Sequence, residues 1–315
     1  MTHDRPLLGL LLMLGFCVIA PLGDAVAKLL GQTMPLGELL FVRFGLQALL
    51  LAPLVLATAR PWRMRGRVLS LTVLRTLLHI LGIGLMVAAL QYLPLADAVA
   101  ICFVMPFLLL VQGRLFLGEE VGLRRILAAL VGFAGTLMVI QPSFAEVGWT
   151  ALLPLGVAFN FSLFILVTRK IAKETDPIGL QAVSGFIAVA VMAPLLVLGS
   201  VADVIPALRV IAPDSTQWGL LVAIGVIGTL AHLLMTWSLR FAPSTTLAPM
   251  QYLEIPVAAL LGWMIFRDWP DELALAGILV TVAAGLYVMI TETASAAPAD
   301  RKEPEPLLSE PRLAE

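Results

Sequence analysis

The sequence predicts an all-α integral membrane protein, with ten transmembrane helices arranged as two inverted five-helix repeats around a central cavity. Three observations predict this. Hydrophobic residues make up 60% of the 315-residue chain and charged ones 13%, with a mean hydropathy of +0.99, well outside the balance of a soluble domain. The second half also repeats the first. LQYLPLADAVAICFVMPF at 90–107 runs on to LMVI at 137–140, and LRFAPSTTLAPMQYLEIPV at 239–257 runs on to YVMI at 287–290. Leu90 falls on Leu239, Pro94 on Pro243, Glu119 on Asp268, Gly135 on Gly285 and Ile140 on Ile290, at a spacing of about 149 to 150 residues. Both copies are almost wholly apolar, and duplicated sets of membrane helices are a mark of secondary transporters.

A helix needs about 20 apolar residues to cross the hydrocarbon core, and ten segments meet that need. The first, 7 to 30, follows Arg5 after a very short N-region. No small-residue cleavage site clearly closes it and more apolar runs follow, so it is a span and not a signal peptide. The second, 36 to 59, precedes the cluster Arg60, Arg63, Arg65 and Arg67. The third and fourth, 68 to 93 and 95 to 117, are separated only by the turn at Pro94 and are therefore antiparallel neighbours. The fifth, 123 to 140, completes the first repeat over 7–140. The sixth, 149 to 167, runs into Arg169, Lys170 and Lys173. After the seventh, 178 to 198, comes the longest connection, and then the eighth, 217 to 241. The ninth, 244 to 266, starts after Pro243, and the tenth, 272 to 290, completes the second repeat over 149–290. Residues 292–315, rich in Pro, Glu and Ala, have little to bury and are expected to form a disordered cytoplasmic tail.

Cationic side chains favour cytoplasmic loops. With the N-terminus inside, 14 Lys and Arg residues fall on the inner side, and only Lys28, Arg209 and Arg267 fall outside. Both termini are then cytoplasmic, in a multi-pass protein of the cell inner membrane. An odd number of helices per copy inverts the second repeat, which places the loop of Glu119 inside and that of Asp268 outside. Two inverted halves can rock to open a central site to either side in turn.

Composition also excludes classes of function. A net charge of -1 and a pI near 6.3 leave no basic field for nucleic acid. Cys17 and Cys102 sit in apolar runs and behave as small hydrophobes, so neither a disulfide nor a metal site is expected. There is no P-loop, HExxH or GxSxG, and the connection around 199–216 carries only Asp203, Arg209 and Asp214 as charges. An enzyme, a bound cofactor and ATP hydrolysis by this chain are therefore not expected.

Arg43 in LLFVRFGLQALLLAPL, the LRT segment opening the third span, and the run from YLPLADAVAICFVMPF through LFLGEE to LVGFAGTLMVI carry a family resemblance. The chain resembles the drug/metabolite transporter superfamily, in its ten-helix branch with two EamA repeats, over almost its whole length. APMQYLEIPVAALLGWMIFRDWPD is similar to bacterial members that take up riboflavin or S-adenosylmethionine. The resemblance implies a basket in which the first, third, fourth, sixth, eighth and ninth spans surround the cavity and the fifth and tenth lie at the periphery. It implies a small-molecule substrate and the bilayer as partners, and leaves a homodimer through the last helix of each repeat open.

An ionisable side chain near mid-bilayer costs about 2.5 to 3.5 kcal/mol on insertion scales, which makes each a functional candidate. Glu254, between Pro249 and Pro256, can touch substrate or a coupling proton, or bond a neighbouring helix. The prolines each remove an amide donor and can leave carbonyls open. Gln251 and Tyr252 place the polar wall on the second half, since the first copy has Cys102 and Phe103 there. His79 and His232 lie on the same face of corresponding helices, one turn apart, and both should look into the cavity, to meet a carbonyl-bearing ring or relay a proton. Arg75, one turn before His79, can bind an anionic group or pair structurally, whereas Arg43 is expected to be structural. Asp24 and Lys28 form an i, i+4 pair near the outer end of the first span, where Asp24 can also gate the mouth. Trp237 and Tyr252 can stack on a flat ring or simply pack, and Asn160 can bond its edge.

The function these features imply is alternating-access uptake of a small organic metabolite: riboflavin, or a similar heteroaromatic cofactor or nucleoside-like compound. Export of amino acids or amines, with Glu254 as the ammonium partner, is the alternative within transport. A non-transporting helper or receptor subunit is the alternative from another class, and would scatter its polar groups over contacts.

Overall fold

The computed structural model describes residues 5–118, 122–202 and 205–296, so Glu119 and residues 297–315 lie outside the described residues. Every regular element among them is helical. In chain order these are α1 (Pro6–Gly31), α2 (Leu36–Ala57), α3 (Gly66–Leu90), α4 (Leu95–Cys102), α5 (Met105–Leu117), α6 (Leu123–Val147), α7 (Leu153–Ala172), α8 (Pro177–Ala202), α9 (Ser215–Phe241), α10 (Ser244–Leu247), α11 (Glu254–Leu261) and α12 (Glu272–Ala296). Among the described residues, eight segments are long and apolar enough to cross a membrane, with α4 and α5 together forming one of them and 244–266 another. Ile126–Met138 in α6 and Glu272–Tyr287 in α12 are shorter apolar stretches.

Helix ends follow local chemistry. Pro6 and Pro177 occupy first helical positions, where a missing N–H costs nothing. Asp214 and Gln217 close a reciprocal capping box on α9, with Gln217 N donating to Asp214 Oδ1 at 2.8 Å and Asp214 N to Gln217 Oε1 at 2.9 Å.

The structure corrects several boundaries. The fourth span is broken: it stops at Cys102 and resumes at Met105, because Pro106 has no N–H for the Cys102 carbonyl and its ring crowds that carbonyl. The ninth span breaks at the equivalent place, passing from α10 through a 3₁₀ segment at Ala248–Leu253 into α11 and then a π-turn at Gly262–Phe266. Pro256, with no N–H for the Tyr252 carbonyl, accounts for that break in the same way. α6 runs to Val147, past the expected 140, and α12 runs to Ala296, past 290. The two broken spans also end alike: Gly118 at φ 64° and Arg267 at φ 62° both turn left-handed after the last helical residue.

The most extensive helix contacts are α1 on α9, α2 on α8, α3 on α7 and α6 on α12, with α4 against α11. Small residues permit the closest of these. A Cβ at Gly135 would stand 2.6 Å from the Gly277 carbonyl oxygen, so α6 meets α12 backbone to backbone. Leucines such as Leu49, Leu56 and Leu115 are left on the outside, as a lipid-facing surface requires, while Phe44, Leu90, Leu95, Ile101 and Ile255 fill the interior. At one end of the bundle Arg60 pairs with Asp176 at 2.9 Å and Arg67 with Glu174 at 3.1 Å, clasping the α2–α3 connection to the α7–α8 turn.

Candidate functional site

A cavity opens where the broken spans cross the middle of the bundle. It is a narrow slot with a volume of ≈ 90 Å³. One face of α1 supplies Phe16, Ala20, Gly23, Asp24 and Ala27 at helical spacing. Opposite stand Cys102 and Phe103 at the break of the fourth span, Phe161 of α7, and Gly228 and His232 of α9. Glu254 enters from the first turn of α11.

Three of the residues expected from the sequence to serve substrate or coupling line the slot: Asp24, His232 and Glu254. Glu254 is 8% exposed, and its Oε1 has no hydrogen-bond partner among the described residues. Its neighbour is Cys17, whose thiol donates to the Met250 carbonyl at 3.5 Å. A buried, unpartnered carboxylate oxygen is costly unless a ligand or water meets it.

The two histidines meet each other. Their rings stack at 4.1 Å with 21° between planes, and no ring nitrogen of either has a hydrogen-bond partner among the described residues. Only His232 reaches the cavity wall. His79, expected to face the cavity, lies behind it instead, held edge-on to Phe44 at 5.0 Å and against Phe164 at 4.7 Å.

The remaining predicted residues lie outside the lining. Arg75 is fully buried and donates to Thr168 Oγ1 and Ser184 Oγ, both at 2.9 Å, to Gln181 Oε1 at 3.3 Å and to Thr236 Oγ1 at 3.4 Å. It also sits 4.6 Å from the centre of the Phe164 ring. These acceptors are neutral groups on α7, α8 and α9, so a single guanidinium fastens α3 to three neighbours. Asn160 donates to the Leu78 carbonyl at 2.7 Å and ties α7 to α3. Tyr252 directs its hydroxyl to the Ala129 carbonyl at 3.4 Å, away toward α6, while its ring packs on Phe103 at 5.4 Å. Trp237 packs on the small cluster of Leu51, Val55, Ile178, Ala182 and Leu233. Gln251 is fully buried, and neither polar atom of its side chain has a partner among the described residues.

Two expectations are corrected. Lys28 does not pair with Asp24; its ammonium meets Asp268 at 3.1 Å, the Leu93 carbonyl at 3.1 Å and the Phe266 ring at 4.7 Å, joining α1 to the loop after the π-turn. Arg43, expected to be structural on a helix away from the cavity, lines the slot beside Asp24, and its Nη1 has no partner among the described residues. The absent side chain of Gly228 makes room for it: a Cβ there would fall 2.8 to 3.0 Å from the guanidinium.

Comparison with known proteins accords with this architecture. A solved crystal structure superposes with a TM-score of 0.67 at 17% identity, covering 93% of this chain and 98% of that one, which establishes the shared fold. The chain is 27% identical over 220 residues to a riboflavin transporter of Brucella anthropi, covering 70% of this chain and 76% of that protein. It is 25% identical over 276 residues to an S-adenosylmethionine uptake transporter of Rickettsia bellii, covering 85% and 89%. The EamA-like transporter family matches twice, over residues 7–141 and again over 148–291. With nearly all of its helical length matched in this way, the chain is a multi-pass membrane protein and belongs to the EamA-like transporter family.

Proposed function

We propose that this protein carries a small heteroaromatic metabolite, riboflavin or a nucleoside-like compound, inward across the cytoplasmic membrane by alternating access. The observation that carries the reading is the slot itself. A cavity at the crossing of two broken helices presents flat aromatic walls at Phe16, Phe103 and Phe161, with a few polar groups at Glu254, His232, Asp24 and Arg43. Mostly apolar walls with sparse, placed polar groups are what recognition of a small molecule requires. The names of the two relatives support a ring-bearing cargo and uptake.

The ten-helix, inverted-repeat arrangement belongs to the same proposal. Counted as spans, the most extensive contacts pair the first with the eighth, the second with the seventh, the third with the sixth and the fifth with the tenth, and the fourth also meets the ninth. Exchanging the two halves maps this set onto itself, turning the first–eighth pair into the sixth–third pair. Such self-mapping supports a pseudo-two-fold relation between the halves, and five spans per half invert one against the other. The charge bias of the loops supports cytoplasmic termini. Glu254 and the His79–His232 stack are the groups through which a proton would be linked to transport.

Two carboxylates in the slot also favour a second reading, the export of an amine or amino acid. The deciding experiment is uptake by a bacterial strain unable to make riboflavin, expressing the wild type or Glu254→Gln at equal levels with limiting external riboflavin. Rescue by the wild type and weakened rescue by the variant is the expected result. Absence of rescue by well-expressed wild type refutes riboflavin uptake and directs the search to resistance against toxic amines and amino-acid analogues.

A further inference from the structure

The slot carries polar groups near Cys17 and again near Asp24, with Ala20 and Gly23 of α1 between these levels. At one end Glu254 lies beside Cys17, with Phe16 and Phe161 edge-on to the His232 ring at 6.1 and 6.0 Å. At the other end Asp24 and Arg43 are electrostatic neighbours. Cys17 and Asp24 are seven residues apart on α1, so they share a face and stand about 10 Å apart along the helix axis. Ala20 and Gly23 lie between them, and Cys102 faces both carboxylates from across the slot. Three side chains of the lining keep buried polar atoms without a partner among the described residues: Oε1 of Glu254, which can accept, both ring nitrogens of His232 beside it, and Nη1 of Arg43, which can donate. Arg43 is 5% exposed and is held in a cradle that a methyl group on Gly228 would fill.

Resting on the uptake reading above, we infer that the cargo is a two-ended molecule: a flat heteroaromatic ring that offers a donor to Glu254 between Phe16 and Phe161, joined to a polar chain whose far end accepts from Arg43. The roughly 10 Å of helix rise between the α1 residues that flank Glu254 and Arg43 is longer than the hydrogen-bonding edge of one ring and suits a ring plus a chain of several atoms. A bare base or bare ring satisfies one end and leaves the guanidinium buried and unmet, which is the costly arrangement. Arg43 is thus a specificity-determining residue for the chain, while Glu254 reads the ring.

The test is equilibrium binding to the purified full-length protein in lipid nanodiscs, using two matched pairs: riboflavin with lumichrome, and S-adenosylmethionine with adenine. Each pair compares a ring bearing a chain with a ring alone. For wild type, the chain-bearing member of at least one pair is expected to bind about ten- to a hundredfold more tightly, the range of a charge-assisted hydrogen bond. Arg43→Gln is expected to abolish that advantage while leaving ring-only binding unchanged, the non-additivity that marks a direct contact. Gly228→Ala, which keeps the charge but displaces it, should remove part of the advantage, and it supplies the same comparison if Arg43→Gln does not fold. Equal loss for ring-only and chain-bearing ligands makes Arg43 a scaffold residue and overturns the inference, with the uptake reading intact. Coupling in the adenosyl pair alone upholds the two-ended site and removes riboflavin as cargo. Binding of none of the four compounds overturns both readings.

Discussion

Replacing Arg75 separates scaffold from site. Its guanidinium serves four neutral acceptors on three helices at 2.9 to 3.4 Å. Thr168 and Thr236 spend their own hydroxyl hydrogens on the Phe164 and His232 carbonyls, both at 2.7 Å, so losing Arg75 costs these oxygens only a donor. A glutamine amide has two N–H groups and leaves at least two acceptors unmet, whereas methionine leaves all four. At about 1 kcal/mol for each orphaned acceptor, and with part regained because a charge without a carboxylate partner is no longer buried, Arg75→Gln should destabilise by about 1–2 kcal/mol and Arg75→Met by about 2–4 kcal/mol. The assay is unfolding in mixed detergent micelles by SDS titration, run alongside transport kinetics on the surviving fraction. Stability should fall in the order wild type, Gln, Met, with KM unchanged. An Arg75→Met protein as stable as wild type but with a raised KM would refute the reasoning and put this residue in the path of the cargo.

Other perturbations follow from the same geometry. Gly135→Ala presses a methyl against the Gly277 carbonyl, where backbone cannot yield, and should cost about 1–3 kcal/mol in the same unfolding assay. Gly228→Ala meets the movable end of Arg43 instead, so it should raise KM while shifting stability by less than about 1 kcal/mol. In a double-mutant cycle, Lys28→Met and Asp268→Asn should show a coupling of about 0.5–1 kcal/mol, because Asp268 is 37% exposed and solvent screens the pair. A coupling indistinguishable from zero would mean that the link does not hold α1 to that loop. Cys102, buried in the slot, should resist a membrane-impermeant maleimide in wild type and react faster in Phe103→Ala, read by mass shift in a Cys17→Ala background.

The spans were legible because each is a long apolar run between charges, a signal that needs no knowledge of neighbours. Their breaks were half legible. Pro249 and Pro256 mark the interruption around Glu254, and Pro106, at the middle of 95–117, carries the same signal for the fourth span. Glu254, Asp24 and His232 reached the slot as their cost in lipid suggested. Arg43 did not look like a site residue, since its cradle is a glycine on α9, far away in sequence, and a glycine advertises only close packing. Lys28 was misassigned for a related reason. The i, i+4 rule sees Asp24, whereas the observed partner Asp268 is 240 residues away and is delivered only by the fold.

The buried guanidinium of Arg75 also sets a timetable. α3 enters the bilayer carrying a charge that costs about 2.5–3.5 kcal/mol there, and it is carried in by a span of mean hydropathy 2.0. The groups that receive its hydrogens lie 93 to 161 residues further along the chain. At about 5–20 residues per second, they leave the ribosome roughly 5 to 30 seconds later. For that interval the groups that receive its hydrogens in the folded protein are not yet made. The duplicated halves, alike in sequence, are therefore not interchangeable in birth order: the earlier one waits, and the later one completes it.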